Sequence, residues 1–245
     1  MEESRYSQEQ QSIHAKIVAQ ALAGKEAAHY PCFTVLAGPP KSGKSALCQA
    51  HYPFMLRHSE STVAIMPSAM KELPFIRDNP HLLHPEKLPQ FREEYYDVCE
   101  AIAKAARAHD CSVLWFEHGE IARPIKRICA LFDGYDKSLG GILVPDAECA
   151  AMDRIKQRQS TWREMKPAHL LRLRSAFAAN WSAYNSMFDE SRLFLCHPDQ
   201  RGPGQFEEVA RRKGSEKPQI LKAEGYQVFQ TLARKGMADP AFYAR

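Results

Sequence analysis

The spacing of apolar residues changes repeatedly along this chain, and each change marks an element. From Ser7 to Gly24, apolar residues Ile13, Ile17, Val18, Ala21 and Leu22 recur at helical spacings, which predicts a helix stopped at Gly24. Residues 31–37 (Pro-Cys-Phe-Thr-Val-Leu-Ala) then form a short, almost continuous apolar run ending in a Gly/Pro cluster. That is the pattern of a parallel strand buried on both faces. Similar runs follow at Ser61–Met66, Ser112–Phe116, Gly141–Val144 and, shorter, Arg192–Cys196. Helical patterns lie between them at Pro89–Ala108, Ala147–Gln159 and Ala168–Phe188. Residues 197–218 read as an exposed loop with a short helix at Phe206–Arg212, and Ala223–Lys235 as a closing helix.

Strands alternating with helices imply βαβ units and a doubly wound, mostly parallel α/β sheet of about five strands, with extra helices at both ends. The expected organisation is a single domain over 1–245, with its core at 7–196 and a loop and helical extension at 197–245. The 245 residues, 44% hydrophobic and 25% charged, suffice to bury a sizeable core. No apolar run approaches the ~18 residues of a membrane span, so no membrane partner is expected. The start, Met1-Glu2-Glu3-Ser4-Arg5-Tyr6, lacks the basic and apolar regions of a secretory signal. Seven cysteines without a C-x-x-C pair point to reduced packing residues in a cytoplasmic setting. A net charge of +4 is too small to imply nucleic acid without clustering.

Directly after the first strand stands Gly38-Pro39-Pro40-Lys41-Ser42-Gly43-Lys44-Ser45-Ala46, a complete G-x-x-x-x-G-K-[ST]. Its glycines let successive backbone N–H groups turn inward on an anion, and the helix that follows adds its positive end. In this pattern Lys44 reaches the outer phosphates and Ser45 gives a hydroxyl to Mg²⁺, so ATP and Mg²⁺ are the expected cofactors. No N-K-x-D to read guanine follows, and an arginine group lies downstream. Both favour a kinase over a GTPase.

Two constellations could serve such a loop. Glu117 ends the Ser112–Phe116 strand, at the edge where a doubly wound sheet binds its ligand, and could hold Mg²⁺ through water or orient an acceptor. The alternative is an acid that caps the next turn. Glu120 and His118 are weaker candidates for the same space. Arg154 and Arg158, four apart on a helix, share a face, and Arg163 follows after a short turn. Planar, permanently charged guanidinium groups suit phosphate, though a solvated basic face is the alternative. His81 and His84 are flanked by prolines that break the helix a metal pair would need, and Arg211-Arg212-Lys213 reads as a solvated run. Trp115, Trp162 and Trp181 read as packing residues.

With these features the chain resembles the zeta-toxin family of P-loop kinases over about residues 7–196. The resemblance rests on the leading helix, the Pro31–Ser45 strand and loop, Phe116-Glu117-His118-Gly119, Arg154 and Arg158, Arg163 before Pro167, and Asn180 ahead of the last strand. It implies phosphoryl transfer to a sugar hydroxyl of UDP-N-acetylglucosamine, or to NAD as in related bacterial effectors. It further implies toxin or effector action, delivery into a target or host cytosol, and an antitoxin or chaperone protein as partner. By the same resemblance Lys44 and Ser45 act on the nucleotide, and Arg158 and Arg163 clamp phosphate. One position departs. The family keeps a basic Asp in the turn after the second strand, whereas here Met66-Pro67-Ser68-Ala69-Met70-Lys71 puts Ser68 there, and a serine does not accept a proton as a carboxylate does. Either Glu72, Asp78 or Glu117 replaces it, or the chain binds nucleotide with little turnover. A polynucleotide end kinase is a third reading, weakened by the lack of a basic stripe interleaved with aromatics.

Overall fold

The computed structural model describes residues 5–39, 42–66, 88–117, 119, 123–145, 167–197, 200 and 202–238. Helix α1 (Gln8–Leu22) begins at a capping box in which Ser7 and Gln10 each satisfy the other's backbone N–H. Strand β1 (Cys32–Ala37) leads into α2 (Lys44–His51), followed by α3 (Pro53–Arg57) and β2 (Thr62–Ile65). Then come α4 (Leu88–Ala108), β3 (Ser112–Glu117), α5 (Arg123–Leu131), β4 (Asp136–Leu143), α6 (Pro167–Asn185) and β5 (Glu190–Cys196). The described part closes with β6 (Phe206–Lys213), β7 (Gln219–Ile220) and α7 (Ala223–Met237).

The strands form one sheet in the order β2-β3-β1-β4-β5-β6-β7. The first five are parallel, as the sequence pattern implies, and β6 and β7 add two antiparallel strands. Because successive side chains point to opposite faces, the sheet carries two apolar layers. One contains Phe33, Val35, Val113 and Trp115 with Phe177 and Trp181 of α6 and Leu232 of α7. The smaller layer joins Leu36, Leu114, Ile142 and Phe194 to Leu47, Tyr52 and Met55 of α2, α3 and their joint. Trp115 and Trp181 are packing residues here, 1% and 7% exposed.

Three sequence expectations need correction. Phe206–Arg212 is not a short helix but most of β6. A register shift opposite Leu193/Phe194 skips Val209, so Val209 and Ala210 both enter the larger layer while Phe206 enters the smaller one. That bulge produces a three-residue apolar spacing that imitates a helix. Arg211 and Arg212 are accordingly not a solvated loop: Arg211 pairs with Glu208, and Arg212 donates to Asn185 Oδ1 and the Phe188 carbonyl, each at 2.7 Å. Strand β4 begins at Asp136 rather than Gly141, since Cys32–Ala37 of β1 pairs with Asp136–Gly141. Helix α5 was not anticipated, although Ile125, Ile128 and Cys129 give it a buried stripe. The expected helix 147–159 lies outside the described residues.

The six described cysteines are free. Burial pushes the Cys48 thiol up to about 11 and that of Cys129 to about 12, so both are protonated packing groups at neutral pH. Among the described residues no helix is long and apolar enough to cross a membrane, and no group of His, Cys, Asp and Glu could hold a metal ion by itself.

Candidate nucleotide site

The phosphate-loop motif sits at the C-terminal edge of the sheet, between the central strand β1 and the N-terminus of α2. Neighbouring strand ends fix its height: Ala37 is in register with Glu117, and the Gly38 N–H donates to the Glu117 carbonyl at 3.1 Å. The Ser42 N–H donates to the Pro39 carbonyl at 3.2 Å, which folds the loop back on itself. Gly43 has φ +91°, the left-handed region, and a Cβ there would stand 3.1 Å from Cζ of Phe206 on β6. This position therefore requires glycine twice, for its conformation and for space. A Cβ on Gly38 would come within 2.9 Å of Ser42 Oγ and 3.1 Å of Ile142 Cβ, so the backbone passes as low as it can over β4.

Gly43 caps α2 with no side-chain hydrogen bond, and the positive end of the helix stands directly behind the loop. Ser42 is 1% exposed, and its buried Oγ has no hydrogen-bond partner among the described residues. Lys44 Nζ donates to the carbonyls of Gly38 at 2.8 Å and Pro39 at 3.1 Å, so the cation lies along the inner rim of the loop. Ser45 is exposed in the first turn of α2, beside Ala46. A buried hydroxyl with no partner among the described residues, a helix N-terminus without a side-chain cap and a lysine folded over the loop make a donor-rich cradle that fits phosphate and a phosphate-bound Mg²⁺.

Glu117, at the end of β3, is 3% exposed. Its carboxylate accepts from Tyr96 Oη at 3.2 Å to each oxygen, from Trp115 Nε1 at 3.3 Å and from the Gly119 N–H at 3.3 Å. The Gly119 carbonyl in turn accepts from Tyr184 Oη at 2.6 Å and Asn180 Nδ2 at 3.5 Å, which ties the turn after β3 to α6. The carboxylate is thus held by partners on α4, β3 and the following turn, one strand away from the phosphate loop.

Of the residues selected from the sequence, the structure brings together Gly38, Pro39, Ser42, Gly43, Lys44, Ser45, Ala46 and Glu117 at one edge. Pro40, Lys41, Arg154, Arg158 and Arg163 lie outside the described residues, as do Ser68, Glu72, Asp78, His81, His84, His118 and Glu120. Sequence reasoning missed Tyr96, Phe206 and Arg174. Arg174 of α6 is 3% exposed and donates to the Val144 carbonyl just after β4, so it carries a buried guanidinium to the same edge. An isolated arginine within a helix gives no sequence signal of burial. Tyr96, by contrast, falls on the apolar face of α4 and could have been noted.

No protein-family model matches the sequence, and no curated protein matches it. Solved structures do. A structure from the PezAT chromosomal toxin–antitoxin system of the human pathogen Streptococcus pneumoniae aligns over 96% of this chain and 98% of its own, with a TM-score of 0.57 and 10% identity. AvrRxo1-ORF1:-ORF2 crystallised with ATP aligns over 93% of this chain and 73% of its own, with a TM-score of 0.65 and 15% identity. The same complex with sulphate ions gives a TM-score of 0.65 at 14% identity, over 94% and 74% of the two chains. Identities this low speak to architecture alone, and at that level the chain has the α/β fold, with a mostly parallel central sheet, of the PezAT and AvrRxo1 structures.

Proposed function

We propose that this chain is an ATP- and Mg²⁺-dependent phosphotransferase that transfers a phosphoryl group to a hydroxyl of a nucleotide-linked small molecule, UDP-N-acetylglucosamine or NAD, as a single-domain toxin or effector. The observation that carries this reading is the complete Gly38–Ser45 loop, set between a central parallel strand and an uncapped helix N-terminus. The AvrRxo1-ORF1:-ORF2 complex crystallised with ATP supports nucleotide as the ligand, and the toxin–antitoxin origin of PezAT supports an antitoxin or chaperone protein as partner.

The chain's own groups divide the work. Loop N–H groups and Lys44 bind and orient the phosphates, Ser45 offers its hydroxyl to the metal, and Glu117 holds the acceptor side. Arg154, Arg158 and Arg163 supply charge against the moving phosphoryl group, with Arg174 as a further buried cation at that edge. Mg²⁺, when bound, neutralises charge on the phosphates. Labelled ATP incubated with a panel of nucleotide sugars and dinucleotides, followed by mass spectrometry, tests the reading. Phosphate on one acceptor supports it, and ATP binding without transfer to any of them rejects it.

Ser68, at the position of the family's basic Asp, favours a second reading, a nucleotide-binding module that acts through a protein partner. Transfer gained by Ser68→Asp in an otherwise inactive chain would mark it as such.

A further inference from the structure

At the opposite, N-terminal edge of the sheet lies a cavity of about 670 Å³, within the range of small-molecule sites. It opens on the face covered by α2 and α3. On that face the C-terminal halves of the strands are apolar, with Leu36, Leu114, Ile142 and Phe194 packed under the helices. The N-terminal halves of the same strands change character and present Thr34, Ser112 and Ser138 to the cavity. Thr34 Oγ1 and Ser138 Oγ share a hydrogen bond of 2.9 Å, and Ser112 Oγ accepts from the Cys32 N–H at 3.2 Å. A floor of three hydroxyls is unusual beneath helices, where packing alone would favour apolar residues.

The walls are aromatic. Tyr52, directly after α2, and Phe54 of α3 stand on one side, and Tyr30, 86% exposed, stands at the mouth. Tyr52 and Thr62 are 4% and 6% exposed, and Tyr52 Oη and Thr62 Oγ1 are buried with no hydrogen-bond partner among the described residues. The charged rim is balanced: Asp136, Asp189 and Glu190 face Lys137, Arg192 and Lys213. Arg192 is already committed to Glu208, so the rim offers no surplus cation for a phosphate chain.

We propose that this cavity is a second small-molecule site, back to back with the phosphate loop, and that it takes an uncharged ligand with a flat heteroaromatic ring and hydroxyl groups, the nucleoside class. Aromatic walls suit the ring, the hydroxyl floor suits sugar hydroxyls or base edges, and charge balance disfavours nucleotides. Helix α2 joins the two sites, with Lys44 at its start and Tyr52 just past its end, about 12 Å apart for eight residues.

Titration of the whole chain with adenosine, guanosine, cytidine and uridine, followed by ligand-observed NMR and calorimetry, tests this site. At least one nucleoside should bind saturably with Kd below about 1 mM. Affinity should stay within about twofold in Lys44→Ala, fall about tenfold or more in Ser138→Leu, which fills the floor, and fall about threefold in Tyr30→Ala. Tyr30 is on the surface, so that variant decides if Ser138→Leu does not fold. No saturable binding of the four nucleosides, binding that survives Ser138→Leu and Tyr30→Ala unchanged, or binding lost in Lys44→Ala each overturns the proposal. The outcome does not depend on the chain being a kinase.

Discussion

The two edges of the sheet meet ligands in different ways. At the C-terminal edge the cradle is backbone: glycines at 38 and 43, a self-folded loop and the N-terminus of α2, with Lys44 folded over the loop as its charged arm. At the N-terminal edge the cavity is side chain: hydroxyls from three strands and rings from the joint of α2 and α3, from α3 and from the segment before β1. A backbone cradle recognises what every phosphate shares, and it needs an unbroken local motif. A side-chain cavity recognises shape and hydrogen-bond pattern, and it draws on residues far apart in sequence. Both rest on the smaller apolar layer, so a fault in that layer should reach both edges, whereas a fault in either rim should stay local.

The largest test strikes the shared layer. Phe206 is 4% exposed, packs in that layer and backs the Gly43 turn. Phe206→Ala should cost about 3–5 kcal/mol in urea unfolding and weaken nucleotide and nucleoside binding together. If only one edge weakens, the two sites do not share a foundation.

Next comes the arm of the cradle. Lys44→Ala should lower ATP·Mg²⁺ affinity on the order of 100-fold, close to 3 kcal/mol, with unfolding stability nearly unchanged. Wild-type affinity by calorimetry would remove the phosphate-loop assignment. Gly43→Ala follows. A side chain at φ +91° costs about 1–2 kcal/mol, and the added Cβ presses on Phe206 at 3.1 Å. Stability should fall by roughly that amount and ATP affinity about tenfold, while nucleoside affinity stays as in the wild type.

This contrast also explains what the sequence revealed. The cradle was legible because β1, the loop and α2 are contiguous and each obeys a local rule: a buried run, then glycines, then a helix start. Glu117 was legible at a strand end, yet its partner Tyr96 stands 21 residues earlier and joins it only through the packing of α4 on β3. β6 was misread because the bulge at Val209 is a property of pairing with β5, and nothing within residues 206–213 announces it. The cavity was invisible for the same reason. Thr34 lies inside an apolar run, Ser112 opens another and Ser138 precedes the expected strand at Gly141, and only register sets them side by side, as it sets Thr34 opposite Ser138.

The smallest expected effect lies on the rim of the cavity and appears in acid. Glu208 of β6 accepts from Arg211 Nε at 2.7 Å and from Arg192 Nε at 3.1 Å. Burial by itself raises its carboxyl, but hydrogen bonds and charge from the two arginines outweigh burial and hold it below the usual carboxylate range. Burial likewise disfavours charge on Arg192, and Glu208 more than restores it. A carboxyl held low in the folded state stabilises the protein fully above its unfolded value near 4.5, and that contribution is lost as pH falls through the lower folded value. The wild type should therefore lose stability below about pH 4.5, and Glu208→Gln should flatten that part of the curve. At pH 7 the substitution should cost about 1 kcal/mol, since the amide keeps one acceptor but not the charge. Arg192 lines the cavity, so its release in acid should weaken nucleoside binding there and leave the phosphate cradle, one layer away, untouched. Equal loss of ATP and nucleoside affinity as pH falls below about 4.5, at constant folded fraction, would mean that the arginine pair does not belong to one edge alone.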